Sequence, residues 1–415
     1  MKISVIGIGR IGLVVAAGLA KLGNEVTAID VDDFRVKAAN DKATPFHEPE
    51  LDHLLQQVEI RAASDYRAIL DSEVIFICAN TPSREDGSIV LDYIIEATKR
   101  VASILQESQR YCVVVVKSTV VPGTAQEIVI PLLVNSGKRV GHDFGVCVVP
   151  EFLSEGTAVH NFLHPDRIII GEYDSQSGSV LCDLYKSFRV PVLRVNLKTA
   201  EMIKYASNAF LATKVSFINE IGNICKLHGI DVFEVAKGMG LDTRIGDKFL
   251  NAGIGFGGPC FSKDLKAIIS EAKRLGYRPG ILEDVLAVNS RQARRIVALL
   301  QKHVRIKDKY VGILGLSYKP GTDDVTDSPV IAVVRTLLNK GAKIRAYDPQ
   351  AMPNFKKLFP QIEYTNPQRV LDCMAVVVCT EWPEFEQLDY TGKIVIDGRR
   401  VSKAREAKVY EGICW

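Results

Sequence analysis

A chain of 415 residues with 47% hydrophobic residues is too long for one ordinary core and calls for two or three domains. Its formal charge of +3 is slight for that length, and no basic block or interleaved aromatic run marks a nucleic-acid surface. Nine scattered cysteines, without a Cys-x-x-Cys pair or a Cys/His cluster, speak against a disulfide framework and against a metal site; with no apolar run near the roughly 18 residues of a membrane span, a cytoplasmic protein with no membrane partner is expected.

The chain opens with an apolar strand, Ile3 to Ile6, followed by the turn Gly7, Ile8, Gly9, Arg10, Ile11, Gly12 and a helix from Leu13 to Leu22 that Gly23 ends. A second strand, Glu25 to Ile29, closes on Asp30, 18 residues after Gly12, which is where a dinucleotide fold places its ribose-binding acid. Small glycines admit a pyrophosphate to the helix N-terminus, whose unpaired N–H groups favour negative charge. Asp30 would accept hydrogen bonds from ribose hydroxyls and repel a 2′-phosphate, so NAD is expected rather than NADP. Arg35 meets a phosphate, stacks on adenine or is simply solvated. Further apolar strands follow at Val74 to Cys78, Cys112 to Val116, Val146 to Val149 and Ile168 to Ile170, as in a parallel sheet covered on both faces. Ligands bind beyond the carboxyl ends of such strands. Three segments sit there: Ala79-Asn80-Thr81-Pro82, Lys117-Ser118-Thr119 and Pro150-Glu151-Phe152-Leu153-Ser154-Glu155-Gly156.

From Thr199 to His228 there is no proline and one glycine, Gly222, so one long helix is predicted, stopping near Gly229. Lys204 and Asn208 share a face of it and suit a substrate oxygen or an oxyanion; its length of about 45 Å also suits packing against a second copy. Next comes Gly255-Phe256-Gly257-Gly258-Pro259-Cys260-Phe261-Ser262-Lys263-Asp264. Glycines let backbone approach a ligand, and a cation beside a thiol favours the thiolate that does covalent chemistry. The theme of the first unit then returns: strand Tyr310 to Leu314, a glycine-bearing turn from Gly315 to Gly321, helix Ser328 to Asn339, and strand Lys343 to Tyr347 ending in Asp348. This copy lacks the third glycine, so a second NAD site is not expected, and Lys319 fits the diphosphate of a nucleotide-sugar. Strands at Val376 to Cys379 and Ile394 to Ile396 follow, the latter leading to Asp397-Gly398-Arg399-Arg400, where an arginine can meet an anion. The expected fold is α/β: two Rossmann-like doubly wound parallel-sheet domains joined by a long central helix and a small all-helical domain, divided as 1–196, 197–304 and 305–415.

The chain resembles the UDP-glucose/GDP-mannose dehydrogenase family over essentially its full length. The resemblance is carried by Pro150 to Ala158, Ala200-Glu201 with Lys204, Asn208 and Asn219-Glu220, Gly255 to Asp264, and Tyr318-Lys319-Pro320-Gly321-Thr322-Asp323-Asp324. It implies oxidation of the primary alcohol at sugar C6 to a carboxylate in two steps with two NAD, most closely UDP-glucose to UDP-glucuronate. By resemblance, Cys260 attacks the bound aldehyde to give a thiohemiacetal and then a thioester, which water hydrolyses. Lys204 and Asn208 match the pair that holds the oxyanion and an ordered water, Asp264 and Thr119 the groups that position water or relay a proton, and Glu151 the candidate base for hydrolysis; whether Lys204, Asp264 or Glu151 is the base at each step stays open. For NAD the resemblance implies Gly7 to Gly12, Asp30, Arg35, Thr81, Ser118, Thr119, Glu155 and Lys263. For the UDP-sugar it implies Glu151, Phe152, Leu153, Ser154, Glu155, Lys204, Asn208, Phe249, Leu250, Asn251, Ala252, Gly253, Gly257, Lys319 and Arg399. Arg244 resembles an arginine given to the partner subunit's site in a homodimer.

Two positions depart from the family pattern. Val149 stands where an asparagine usually precedes Pro-Glu-Phe-Leu, and Thr326 stands in place of an arginine expected near the cofactor. Alternatives within the class are UDP-N-acetyl-hexosamine or GDP-mannose as substrate, and a two-electron β-hydroxyacid dehydrogenase, which needs neither Cys260 nor a second nucleotide domain. A catalytically silent nucleotide-sugar binder would have no use for the thiol.

Overall fold

In the computed structural model, which describes residues 1–415, the apolar runs become strands buried on both faces: every residue of Val74–Ile77, Cys112–Val116 and Phe144–Val148 is buried. They belong to an eight-stranded sheet of β1 (Lys2–Ile6), β2 (Glu25–Ile29), β3 (Ile60–Ala63), β4 (Val74–Ile77), β5 (Cys112–Val116), β6 (Phe144–Val148), β7 (Ile168–Glu172) and β8 (Val192–Asn196). Its order is β3-β2-β1-β4-β5-β6-β7-β8. The first six strands run parallel. The run around Ile168 differs from the parallel expectation, because β7 pairs antiparallel with β6, Val148 opposite Gly171 and Cys147 opposite Glu172. An antiparallel return needs no crossover helix, and the link from β6 to β7 holds only a loop and the short helix Ala158–Leu163. Gly18 seats that helix on helix Arg10–Lys21: a Cβ at Gly18 would lie 2.2 Å from the Phe162 ring.

The C-terminal sheet comprises β9 (Tyr310–Leu314), β10 (Lys343–Tyr347), β11 (Glu363–Tyr364), β12 (Ala375–Val378), β13 (Ile394–Asp397) and β14 (Val409–Gly412). All are parallel in the order β11-β10-β9-β12-β13-β14, the doubly wound arrangement. Ile218, Leu250, Ile296 and Leu300 from the preceding helical region share one core with Val311, Ile313 and Val333. The chain forms two compact units, Met1–Ser207 and Asn208–Trp415, and the 32-residue helix Leu197–His228 runs unbroken through the division. No helix is long and apolar enough to cross a membrane.

The internal repeat is visible in the hydrogen bonds. Gly7 N donates to Ile29 O at 2.7 Å and Gly315 N to Tyr347 O at 2.8 Å; Ile8 N reaches Asp30 Oδ2 at 2.8 Å and Leu316 N reaches Asp348 Oδ2 at 2.7 Å. Asp348 also accepts from Ser317 N, Gln350 N, Ala351 N and Trp382 Nε1, so both of its oxygens serve the fold.

Candidate active site

The first turn is a cradle that only glycine permits. Gly7 has φ +88°, and a Cβ on Gly12 would stand 1.8 Å from Gly7 O. No side chain caps helix Arg10–Lys21 at Gly9, leaving its first N–H groups to a ligand. Asp30 is buried at the end of β2, its Oδ1 accepting from Asp32 N at 3.0 Å, with the Arg35 guanidinium 3.5 Å from Oδ2 and 3.9 Å from where a Cβ of Gly9 would be. This arrangement fits a dinucleotide. The side chains of Ile8 and Ile11 go to the core, so these two residues offer backbone. Arg10 donates to His47 O at 2.6 Å and lies 3.4 Å from Glu155 Oε1, which joins the turn to the Pro150–Gly156 loop.

The strand ends of the same sheet are stitched together. Thr81 Oγ1 donates to Thr119 O at 3.0 Å, and Ser118 Oγ to Ala79 O at 2.6 Å. Lys204 Nζ donates to Glu151 Oε1 at 2.9 Å, both residues buried, while Glu151 Oε2 accepts from Leu153 N at 2.7 Å. Burial pushes the Glu151 carboxyl up, but the Lys204 ammonium, the Leu153 N–H and Lys117 outweigh it and hold it below the usual carboxylate range. The Phe152 ring faces Arg167 at 4.2 Å and Lys204 at 5.5 Å. Ser154 is exposed, its N–H donating to Asn161 Oδ1 at 3.0 Å. Leu153 packs on the core.

In the second unit, Cys260 is the N-cap residue of helix Phe261–Arg274, where the helix dipole favours negative charge on the sulfur. The turn before it is fixed by close approach: Cβ atoms would meet Asn289 Oδ1 at 2.5 Å from Gly255, Asp327 O at 2.6 Å from Gly257 and the Tyr318 ring at 2.7 Å from Gly258. Phe256 exchanges two hydrogen bonds with the Asn289 side chain, and Gly258 N donates to Thr326 O at 2.8 Å. Position 326 thus supports the thiol turn through its carbonyl, whatever its side chain. Gly253 N donates to Asn219 Oδ1, and Gln292 Nε2 to Gly253 O. Asp264 is 2% exposed and takes Asn208 Nδ2 at 2.6 Å and Lys263 Nζ at 2.7 Å, so Lys263 is ion-paired with its neighbour. Burial pushes the thiols of Cys112, Cys147 and Cys379 up to about 12; Cys260 is only half-buried. Arg399 reaches the carbonyls of Cys379, Gly255 and Tyr318 at 3.0, 3.3 and 3.4 Å, and Lys319 lies 5.5 Å from the Tyr318 ring centre. Leu250 and Ala252 point into the core, whereas Phe249, at φ +65°, and Asn251 are exposed. Arg244 stands apart, exposed and paired with Asp242 at 2.6 Å.

Sequence reading passed over Glu48, Asn289 and Gln292. Glu48 is buried and accepts from Gly156 N at 3.0 Å and Ala158 N at 2.8 Å. Asn289 and Gln292 carried a usable signal, being polar residues among Val285, Val288, Ala293 and Ile296 on the inner face of helix Gly280–His303; Glu48, in a loop, carried none.

A dinucleotide cradle, a second nucleotide-type sheet and a cysteine displayed at a helix start define a nucleotide-dependent oxidoreductase. The sequence patterns of the UDP-glucose/GDP-mannose dehydrogenase family match in three parts: its NAD binding domain over residues 1–189, its central domain over 198–291 and its UDP binding domain over 312–404. The UDP-glucose 6-dehydrogenase of Haloferax volcanii is 41% identical over the whole of both chains. Among solved structures, a UDP-glucose dehydrogenase from Pyrobaculum islandicum superposes with a TM-score of 0.96 at 40% identity, covering 100% of this chain and 98% of that one. A UDP-D-ManNAc dehydrogenase from Pyrococcus horikoshii gives 0.88 at 28%, covering 100% and 99%. The chain belongs to the UDP-glucose/GDP-mannose dehydrogenase family.

Proposed function

We propose that the protein oxidises UDP-glucose to UDP-glucuronate in two successive steps, with Cys260 carrying the sugar between them. The observation that carries this reading is the Cys260 thiol, set by a glycine-only turn at the start of helix Phe261–Arg274. Gly7 to Gly12, Asp30 and Arg35 hold NAD, with Thr81, Ser118, Thr119, Glu155 and Lys263 toward its nicotinamide end; NAD supplies the hydride acceptor for both oxidations. The chain's own chemistry is proton transfer and covalent capture. The Cys260 sulfur adds to C6 of the aldehyde, whose oxygen becomes the thiohemiacetal hydroxyl, and the later thioester yields to water, returning the thiol and releasing the carboxylate. Lys204 and Asn208, one turn apart on a single helix, donate to the developing oxyanion. Asp264 is held between an amide and an ammonium, so it is oriented to position water or relay a proton. Glu151, ionised and facing Lys204, serves as the base for hydrolysis. Glu151 to Glu155, Phe249 to Gly253, Gly257, Lys319 and Arg399 take the UDP-sugar.

The labour divides as NAD binding in 1–196, helical assembly in 197–304 and UDP-sugar binding in 305–415, in a cytoplasmic setting that suits nine free thiols. The working form is a homodimer to which each copy gives its Arg244. Supporting this, Phe210, Phe217 and Ile224 are exposed at seven-residue spacing on one helix, a single apolar stripe.

The test is the NADH yield per UDP-glucose at limiting sugar, for wild type and Cys260→Ser. Two NADH per sugar, with the serine variant stalled, supports the reading. One NADH per sugar, indifferent to Cys260, refutes it.

A further inference from the structure

Lys117 has no part in the chemistry above, yet it is one of the most confined cations in the chain, 7% exposed. Its place is set by the sheet. It follows β5, its N–H donates to Ile77 O at 2.9 Å on one side, and on the other Val149 N donates to Val116 O at 3.1 Å, so Lys117 lies abreast of the Val149–Pro150 segment. From there its Nζ donates to Pro150 O at 3.3 Å. That carbonyl belongs to the peptide plane joining Pro150 to Glu151, the same Glu151 whose carboxylate is held by Lys204 at 2.9 Å. Glu151 is therefore gripped by one buried ammonium at its backbone and by another at its side chain.

A brace for a carbonyl needs only a neutral donor, and burying an uncompensated charge is costly. Here the charge has a use, because Glu151 is buried and its ionised form is costly on its own. We propose that Lys117 is a positioning residue for the oxidation: it fixes the Pro150–Glu151 peptide and, as a second cation beside Glu151, keeps that carboxylate ionised. The groups that act on Lys117 are the Cys78 thiol from the end of β4, Glu151 and Lys204. Burial pushes Cys78 up to about 12, so it is a neutral neighbour near pH 7. Burial brings Lys117 itself down to about 8, which leaves it mostly protonated at that pH. His164, Asp166, Arg167 and Tyr185 line the same cavity as Lys117 and Glu151; Tyr185 is neutral there because burial pushes its hydroxyl up.

The inference rests on Glu151 as a working carboxylate, and three variants test it. Lys117→Met removes donor and charge, Lys117→Gln keeps a donor without charge, and Lys117→Arg keeps both. Losing the cation raises the Glu151 pKa, so the acid limb of the kcat–pH profile moves to higher pH by about half a unit or more in the Gln and Met variants and stays in place in the Arg variant. At pH 7 kcat falls about tenfold in Met, with KM for NAD within about threefold. If the acid limb stays at its wild-type position in Gln, with melting temperature the only thing that moves, Lys117 is a structural brace and the proposal is overturned; the Gln variant decides this even if Met does not fold. Wild-type stoichiometry is read separately. One NADH per sugar sinks the four-electron reading, and with it the hydrolysis step at which Lys117 would act; two NADH per sugar with an unmoved acid limb in Gln overturns the Lys117 proposal alone.

Discussion

Replacing Glu48 probes how a residue without chemistry of its own holds the Glu151 loop in place. Helix Ala158–Leu163 starts at Thr157, whose side chain makes no capping bond. Glu48, 110 residues away from Ala158 in sequence, accepts instead from Ala158 N and from Gly156 N. A hydrogen bond to a buried charged group contributes about 1.5–3 kcal/mol, so Glu48→Ala, which strands two N–H groups, costs this segment about 3–5 kcal/mol. Glu48→Gln retains one acceptor oxygen and costs about 1–2 kcal/mol. Hydrogen exchange over residues 150–163 reads these costs locally, at about 1.4 kcal/mol per factor of ten in opening. The Gly156 and Ala158 amides should exchange on the order of 100-fold faster or more in the Ala variant and about tenfold faster in Gln. Exchange within about threefold of wild type in the Ala variant would show that these bonds do not hold the segment, and the reasoning from Glu48 would fail.

Thiol chemistry and assembly give two further expectations. Burial raises a thiol's pKa and so preserves its neutral form, and at a pKa of about 12 the thiolate at pH 8 is roughly one part in ten thousand. Iodoacetamide at that pH should therefore spare the buried Cys112, Cys147 and Cys379 and label the half-buried Cys260 and Cys182, with UDP-glucose protecting Cys260 alone; peptide mass mapping that finds Cys112 or Cys379 labelled first contradicts the burial argument. Phe217→Asp, a charge in the middle of the exposed helix stripe, should give a monomer by light scattering if the stripe joins the proposed dimer, and a mass equal to wild type would remove the stripe from that role.

The central strands were legible because β4, β5 and β6 are buried on both faces and read as unbroken apolar runs. The edges were not. The residues of β8, Val-Leu-Arg-Val-Asn, are largely exposed and their apolar run is broken by Arg194, and β11 has only two residues, so neither reads as an unbroken buried strand. The reversal at β7 was hidden for a different reason: an apolar strand reads the same in either direction. At the site, the glycines and Cys260 were legible because their spacing is local. Lys117 was visible only as part of a strand-end segment, and its hold on Pro150 depends on a neighbouring strand 33 residues away. Lys263 shows a further limit, since its place beside Cys260 was legible in the sequence whereas its bond to Asp264 at 2.7 Å was not.

The antiparallel return of β7 along β6 has a consequence for how this region can vary. A parallel successor would have forced the chain from Val149 across the sheet to its opposite end, carrying Pro150 to Gly156 away from the cofactor turn. Because β7 comes straight back, both anchor points of the 149–167 stretch lie on the same rim. A change of length within the stretch therefore need not alter a strand register, so long as Glu151 keeps Lys204, Glu48 finds its two amides and Phe162 finds the gap at Gly18.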